Sequence, residues 1–165
     1  YLHHVLAEGA TAIDVPGFLE YLSLDGVYAP GDPHLARAQA MRDAFGPWFA
    51  EAHDLGLQVL LSTDMLALDT PLERYLTHRF GALDTEDPAL WSVYAGGLDE
   101  LSRTLPDVDG LVIRIGEGGA AYQFAGSDFR SELDVTTVAA ARAMLTAFTG
   151  AAERDGKTIV FRTWS

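Results

Sequence analysis

Short apolar runs alternate with longer stretches in which apolar residues recur at helical spacing. The runs TAIDV (11–15), LQVLLST (57–63), GLVIRIG (110–116) and KTIVFRTW (157–164) are near-continuously apolar, each bounded by Gly, Pro or Asp on at least one side. They predict buried strands. Between them, Met41, Phe45, Trp48, Phe49 and Ala52 share one helical face. So do Leu90, Val93, Tyr94, Leu98, Leu101 and Leu105, and so do Val138, Ala141, Leu145, Phe148 and Ala152. Residues 1–9 predict the end of a helix closed by Gly9. Asp32-Pro33, Asp87-Pro88 and Asp134 mark helix starts, Gly56 and Asp155-Gly156 mark ends, and Pro47 predicts a kink or break.

The predicted order is therefore αβαβαβαβ, an α/β chain with a parallel sheet covered by helices. The units recur about every 50 residues without a shared sequence signature, so they are βα architecture and not a solenoid. No linker-like or low-complexity segment divides residues 1–165, which predicts one domain. An open doubly wound sheet and part of a barrel both fit the pattern. The chain opens on a helix and closes on a strand end, which favours roughly half of a TIM (β/α)8 barrel, its second to fifth strands. A whole barrel needs ~250 residues.

Composition narrows the classes. Of 165 residues, 48% are hydrophobic and 21% charged, ordinary for a globular chain. Acids number 24 against 11 Lys plus Arg, a formal net charge of −13. Such a surface repels phosphate backbones and argues against a nucleic-acid partner. No run approaches the ~18 apolar residues of a membrane span. Cysteine is absent, which excludes disulfides and thiolate metal sites. The first residues lack a basic region followed by an apolar run, which slightly favours a cytoplasmic location.

In parallel α/β folds the working residues collect at the C-terminal ends of strands. Those positions hold Asp14, Asp64, Glu117, Arg162 and Trp164, with Arg114 one step back along its strand. Acids bond hydroxyls and transfer protons, arginine clamps carboxylates, and an indole offers a face to a sugar ring. Glu117 sits among Gly116, Gly118 and Gly119, which admit a substrate closely. A carboxyl in such a partly dry site titrates high enough to act as a general acid. The plain alternative is a solvated loop glutamate or a helix cap.

Each other candidate carries a structural alternative. Arg114 and Arg162 clamp an acidic substrate or form ion pairs with Asp14, Asp64 or Glu117. Asp64 accepts from a hydroxyl or caps a helix, and Asp14 contacts ligand or bonds its own turn. Trp164 is a sugar platform or core packing, and Tyr122 in the glycine-rich loop reaches ligand. His3 and His4 belong to a solvated helix face, whereas Trp48 and Trp91 belong to core faces. No phosphate-loop spacing is present. A metal held by Asp14, Asp64 and Glu117 is conceivable, but nothing in their spacing demands one; neither metal nor cofactor is expected.

The run from Leu57 to Ser165 resembles the catalytic barrel of glycoside hydrolase family 67, the α-glucuronidases. VLLSTD, then LDTEDPALWSVYAGGLDELSRTLPDVDGLVIRIGEGG, then KTIVFRTW are similar to that family's landmarks in order. The resemblance implies an inverting hydrolase of uronic-acid-containing glycans with a carbohydrate substrate and no cofactor. It places Glu117 on the general acid and Arg162 on an arginine that contacts the uronate carboxylate. Arg114 lies near a family lysine, but its interval to the glutamate is one residue shorter. The family's Gln-Pro-Gly after the acid is replaced by Gly119-Ala120-Ala121, which puts the substrate in question.

An inverting enzyme also needs a base carboxylate ~6.5–9.5 Å from the acid. The resemblance puts that base on later strands, so the partner is the rest of the barrel from the same parent chain, and the segment alone is expected to be inactive. A non-catalytic carbohydrate-binding barrel and a metal-assisted lyase or aldolase are the rival readings. The glycan, the linkage and the oligomeric state are open.

Overall fold

A computed structural model describes residues 1–64, 67–115, 128–131 and 133–163, with the backbone alone at Asp64, Ile115, Ser131 and Thr163. Glu117, Tyr122 and Trp164 lie outside the described residues. The main elements are α1 (Leu2–Ala7), β1 (Ala12–Pro16), α2 (Pro33–Asp54), β2 (Gln58–Asp64), β3 (Ala67–Leu68), α3 (Thr70–Phe80), α4 (Pro88–Thr104), β4 (Gly110–Ile115), β5 (Arg130–Ser131), α5 (Val138–Asp155) and β6 (Thr158–Thr163). A 3-10 turn, Leu19–Tyr21, lies in the β1–α2 loop.

Four strands form one parallel sheet in the order β1-β2-β4-β6, which is also their chain order. Parallel crossovers are right-handed, so helices that follow strands in unbroken order fall on one side. Burial agrees. Ile13, Val15, Val59, Leu61, Leu111 and Ile113 are buried in one cluster with Phe49, Leu72, Trp91, Tyr94, Leu98 and Phe148 from the helices. The alternate positions are less covered: Asp14, Pro16, Thr158, Val160 and Arg162 are exposed, and Leu60, Val112 and Arg114 half-buried. Alternation of this kind marks a sheet with one packed face.

The helix starts follow local chemistry. Asp32, Asp69 and Asp87 accept hydrogen bonds from the backbone N–H of His34, Leu72 and Ala89 at 2.9, 2.7 and 2.9 Å, each with Pro in the first turn. Each such cap contributes about 1 kcal/mol. The α5 cap is Thr137, bonded to the Ala140 N–H at 3.1 Å, and not Asp134 as the sequence predicts. Only the residue adjoining the first turn can reach its N–H groups. Helix α2 runs unbroken through Pro47, where a kink or break is predicted. Pro47 and Asp43, whose carbonyl loses its donor, are both exposed, so water can supply the missing bond.

Helix α3 and the small antiparallel pair β3·β5 are not anticipated from the sequence. Along the chain β3 and α3 lie between β2 and α4, and β5 between β4 and α5; Leu72 and Leu76 of α3 join the core.

A buried polar clamp holds the β1–α2 loop onto α4. Glu100 is 6% exposed, and its carboxylate accepts from the backbone N–H of Ser23 at 2.6 Å and of Leu24 at 2.9 Å. Arg42 lies 3.7 Å from it and donates to the Tyr21 carbonyl at 2.7 Å. Leu24 has φ of 45°, in the left-handed region, a conformation costing roughly 1–2 kcal/mol that the clamp sustains. Glu100→Gln takes one acceptor from two backbone donors and the counter-charge from Arg42. The expected loss is about 1–3 kcal/mol in a urea titration; a change under ~0.5 kcal/mol would show the clamp to be unimportant.

Candidate functional site

The C-terminal edge of the sheet gathers three of the sequence-predicted site residues into one row. The register sets Asp64 beside Arg114 and Arg114 beside Arg162 on three consecutive strands. All three positions share the parity of the less covered face. Arg114 is half-buried and Arg162 exposed, and both are engaged by neighbouring groups. The chain's formal charge is −13, and these two arginines stand on adjacent strands at this edge.

Asp14 stands apart from that row. It lies at the middle of β1, abreast of Leu60, on the same face. Its carboxylate accepts the hydroxyl proton of Ser62 on the neighbouring strand, so it bonds across strands and not within its own turn. His3 and His4 are exposed on α1. Trp91 is fully buried and donates its indole N–H to the Thr85 carbonyl at 2.8 Å, whereas Trp48 is half-buried beside Phe49.

A second polar group, missed from sequence, lies where the segments after β1, β2 and β4 meet. His34, at the start of α2, is 8% exposed and Asp69 0%. The imidazole Nδ1 is 2.6 Å from Asp32 Oδ1; Nε2 is 2.9 Å from Asp128 Oδ1 and 3.2 Å from Asp69 Oδ2. The Tyr28 hydroxyl donates to Asp69 Oδ2 at 2.5 Å, and the Tyr28 ring stacks on the imidazole at 4.7 Å. Arg37 donates to Asp128 at 3.2 Å.

The electrostatics follow from that geometry. Burial opposes the imidazolium, but the bonds to Asp32 and Asp128 and the charges of Asp69 and Asp128 outweigh it, so His34 titrates above its ordinary value. The backbone and side-chain bonds from His34 hold Asp32 low. Burial also works against the Asp128 anion, but His34 and Arg37 bring it below the usual carboxylate range. Burial pushes Asp69 up, and it pushes the Tyr28 phenol up as well. The cavity beside the ring leaves no space for a water molecule. The group is closed to ligand and works as a tie between loops.

Of its members, only Asp32 is assigned from the sequence, as the cap of α2. Their convergence on His34 is a long-range fact. The larger concavities among the described residues lie elsewhere. A groove of about 640 Å³ between α4 and α5 is lined by Ala95, Ala143, Ala147 and Gly150 with Arg142 and Arg154 at its rim. Glu86 and Asp99 also line it, and Arg154 is paired with Asp99 at 3.1 Å. No set of three or more His, Asp or Glu side chains among the described residues is arranged to hold a metal ion, and no helix is long and apolar enough to cross a membrane.

Comparison with family models, with curated proteins and with solved structures returns no match.

Proposed function

We propose that these four βα units are half of a (β/α)8 barrel and belong to a glycoside hydrolase acting on uronic-acid-containing glycans, with Glu117 as general acid. The observation that carries the reading is the row Asp64–Arg114–Arg162 at the C-terminal edge of a sheet whose strands follow one another in chain order. A doubly wound sheet reverses direction at a switch point; these four strands do not reverse. One face is packed by helices and the other is less covered, as the inner wall of a barrel requires.

Two guanidinium groups abreast suit a carboxylate, which takes paired N–H donors. An aspartate beside them suits the hydroxyls of the same ring. The resemblance of Leu57–Ser165 to the α-glucuronidases supplies the reaction. Glu117 follows β4 directly in the sequence, on the segment leading from the row.

The test uses the chain together with the strands that complete its barrel. Aryl uronosides should be hydrolysed in preference to the matching neutral glycosides. Arg162→Gln should raise KM for the uronoside by roughly 10- to 100-fold, the worth of a charged hydrogen bond, and leave the neutral glycoside nearly unchanged. Equal effects on both sugars, or no hydrolysis of either by the wild type, would reject the substrate class. Binding of uronosides without turnover would favour a carbohydrate-binding barrel.

A further inference from the structure

The His34 cluster has a feature that hydrogen-bond counting exposes. Both imidazole nitrogens face carboxylate oxygens: Nδ1 faces Asp32 at 2.6 Å, and Nε2 faces Asp128 and Asp69 at 2.9 and 3.2 Å. A carboxylate only accepts, and a neutral imidazole has one N–H. The arrangement is satisfied on both sides only when the ring carries two protons. In the neutral ring one nitrogen lone pair would point at a carboxylate oxygen.

The carboxylates belong to different segments. Asp32 precedes α2, Asp69 precedes α3, and Asp128 opens the stretch that leads into β5. That stretch has further ties, and Phe129 belongs to the buried core. Phe129 packs edge-on against the imidazole at 6.2 Å, Arg130 pairs with Glu73, and β5 bonds the two residues of β3.

We propose that His34 is a proton-operated clasp, which holds residues 128–130 against α2 and the segment before α3 while its ring is an imidazolium and lets them go when the ring is neutral. The surrounding charges define the balance. Facing His34 are Asp32 from its own turn, Asp69 with the Tyr28 phenol bonded to it, and Asp128 with Arg37 from the next turn of α2. Glu20, buried on the 3-10 turn, lines the same cavity, and burial raises its carboxyl above the ordinary value. Loss of the imidazolium leaves Arg37 as the one cation bonded to Asp128 within this cluster, facing three carboxyl groups. Of the three carboxylates Asp128 is the most exposed, its side chain 51% accessible against 19% for Asp32 and 0% for Asp69, so its bond to the ring is the one that water can replace. This inference is independent of the glycosidase reading.

The sign of the pH dependence follows. The closed state binds the proton more tightly than the open state, in which Asp32 and Asp69 still face the ring but Asp128 does not, so the open-state value is the lower of the two. Opening is therefore pH-independent below that value and rises by up to about tenfold per pH unit above it. It levels off once the closed-state ring has itself lost its proton.

The experiment is NMR on the labelled chain from pH 6 to 9. Ring-nitrogen shifts report the protonation of His34, and amide exchange of Phe129 and Arg130, corrected for base catalysis, reports opening. Two protonated ring nitrogens at pH 7, with exchange rising at higher pH, are expected. Asp128→Asn should leave the onset in place and make the rise level off at lower pH with a smaller amplitude, and His34→Gln should remove the pH dependence. A neutral His34 ring at pH 7, an opening equilibrium flat from pH 6 to 9, or the wild-type pH dependence persisting in His34→Gln would each overturn the clasp. Should His34→Gln not fold, the wild-type ring shifts and Asp128→Asn decide alone.

Discussion

Gly110→Ala should destabilise the fold by about 3 kcal/mol or more, beyond the usual cost of an added methyl group. Gly110 opens β4, abreast of Thr158 on β6. A Cβ built there meets the Thr158 carbonyl oxygen at 2.0 Å and its carbon at 2.8 Å. Both atoms are backbone, so no rotamer relieves the overlap, and the two strands must separate where they enter the sheet. Strand pairing β4·β6 starts at this point, and Thr158 is fixed by its own N–H bond to the Asp109 carbonyl at 2.8 Å. In a domain with a total stability of 5–15 kcal/mol, such a loss removes a large share. The expected fall in melting temperature is roughly 6–12 °C.

Two neighbouring glycines give the internal control. A Cβ on Gly97 meets only side-chain atoms, Leu22 Cδ1 at 2.6 Å and Phe18 Cζ at 3.2 Å, so Gly97→Ala should cost less. Gly96 has nothing within 4 Å on an exposed face of α4, so Gly96→Ala should gain about 1 kcal/mol of helix propensity. Should Gly110→Ala melt with Gly96→Ala, the close approach of β4 and β6 is not as described.

Periodicity made the four parallel strands and the helices α2, α4 and α5 legible, but the face read for α5 is displaced: Ala140, Ala143, Met144, Phe148, Ala151 and Ala152 are buried, and Val138, read on the apolar face, is exposed. The cap residues Asp32 and Asp87 were readable from the local sequence. Helix α3 was not read, although Asp69, Pro71 and Gly81 punctuate it. Its apolar face reduces to a few residues, chiefly Leu72 and Leu76, too few to stand out from a polar segment. The β3·β5 pair, two residues on each side, is set by tertiary contact and leaves no period at all.

The site divides in the same way. Asp64, Arg114 and Arg162 could be nominated because strand ends are visible in sequence, and the register then sets them abreast. Glu117 and Trp164, nominated by the same rule, and Tyr122, nominated from the glycine-rich loop, fall outside the described residues. Ser62, which bonds Asp14, was hidden because a serine within an apolar strand reads as filler. The His34 group was hidden because its carboxylates come from separate segments. No local spacing rule connects residues that meet only after the sheet has formed.

Glu117→Gln, in the chain with its barrel complete, is expected to lower kcat/KM on glycosides with alkyl leaving groups by about 10²–10⁴-fold. The argument is chemical. An alkoxide is a poor leaving group and needs a proton as the bond breaks, whereas an acidic phenol departs without one. Glutamine keeps the size and polarity of the side chain but has no proton to give. The loss should therefore shrink steeply as the leaving group becomes more acidic, with the melting temperature unchanged.

The pH profile supplies a second signature. A general acid acts in its protonated form, so the wild-type rate falls on the alkaline side as Glu117 ionises, and the variant should lack that limb. A glutamate that merely caps or closes a loop would behave otherwise. Its replacement would slow all leaving groups alike, or would act through stability and move the melting temperature. Equal hydrolysis of alkyl and phenolic uronosides by the variant and the wild type would remove Glu117 from the chemistry. The row of Asp64, Arg114 and Arg162 would then remain as a binding surface alone.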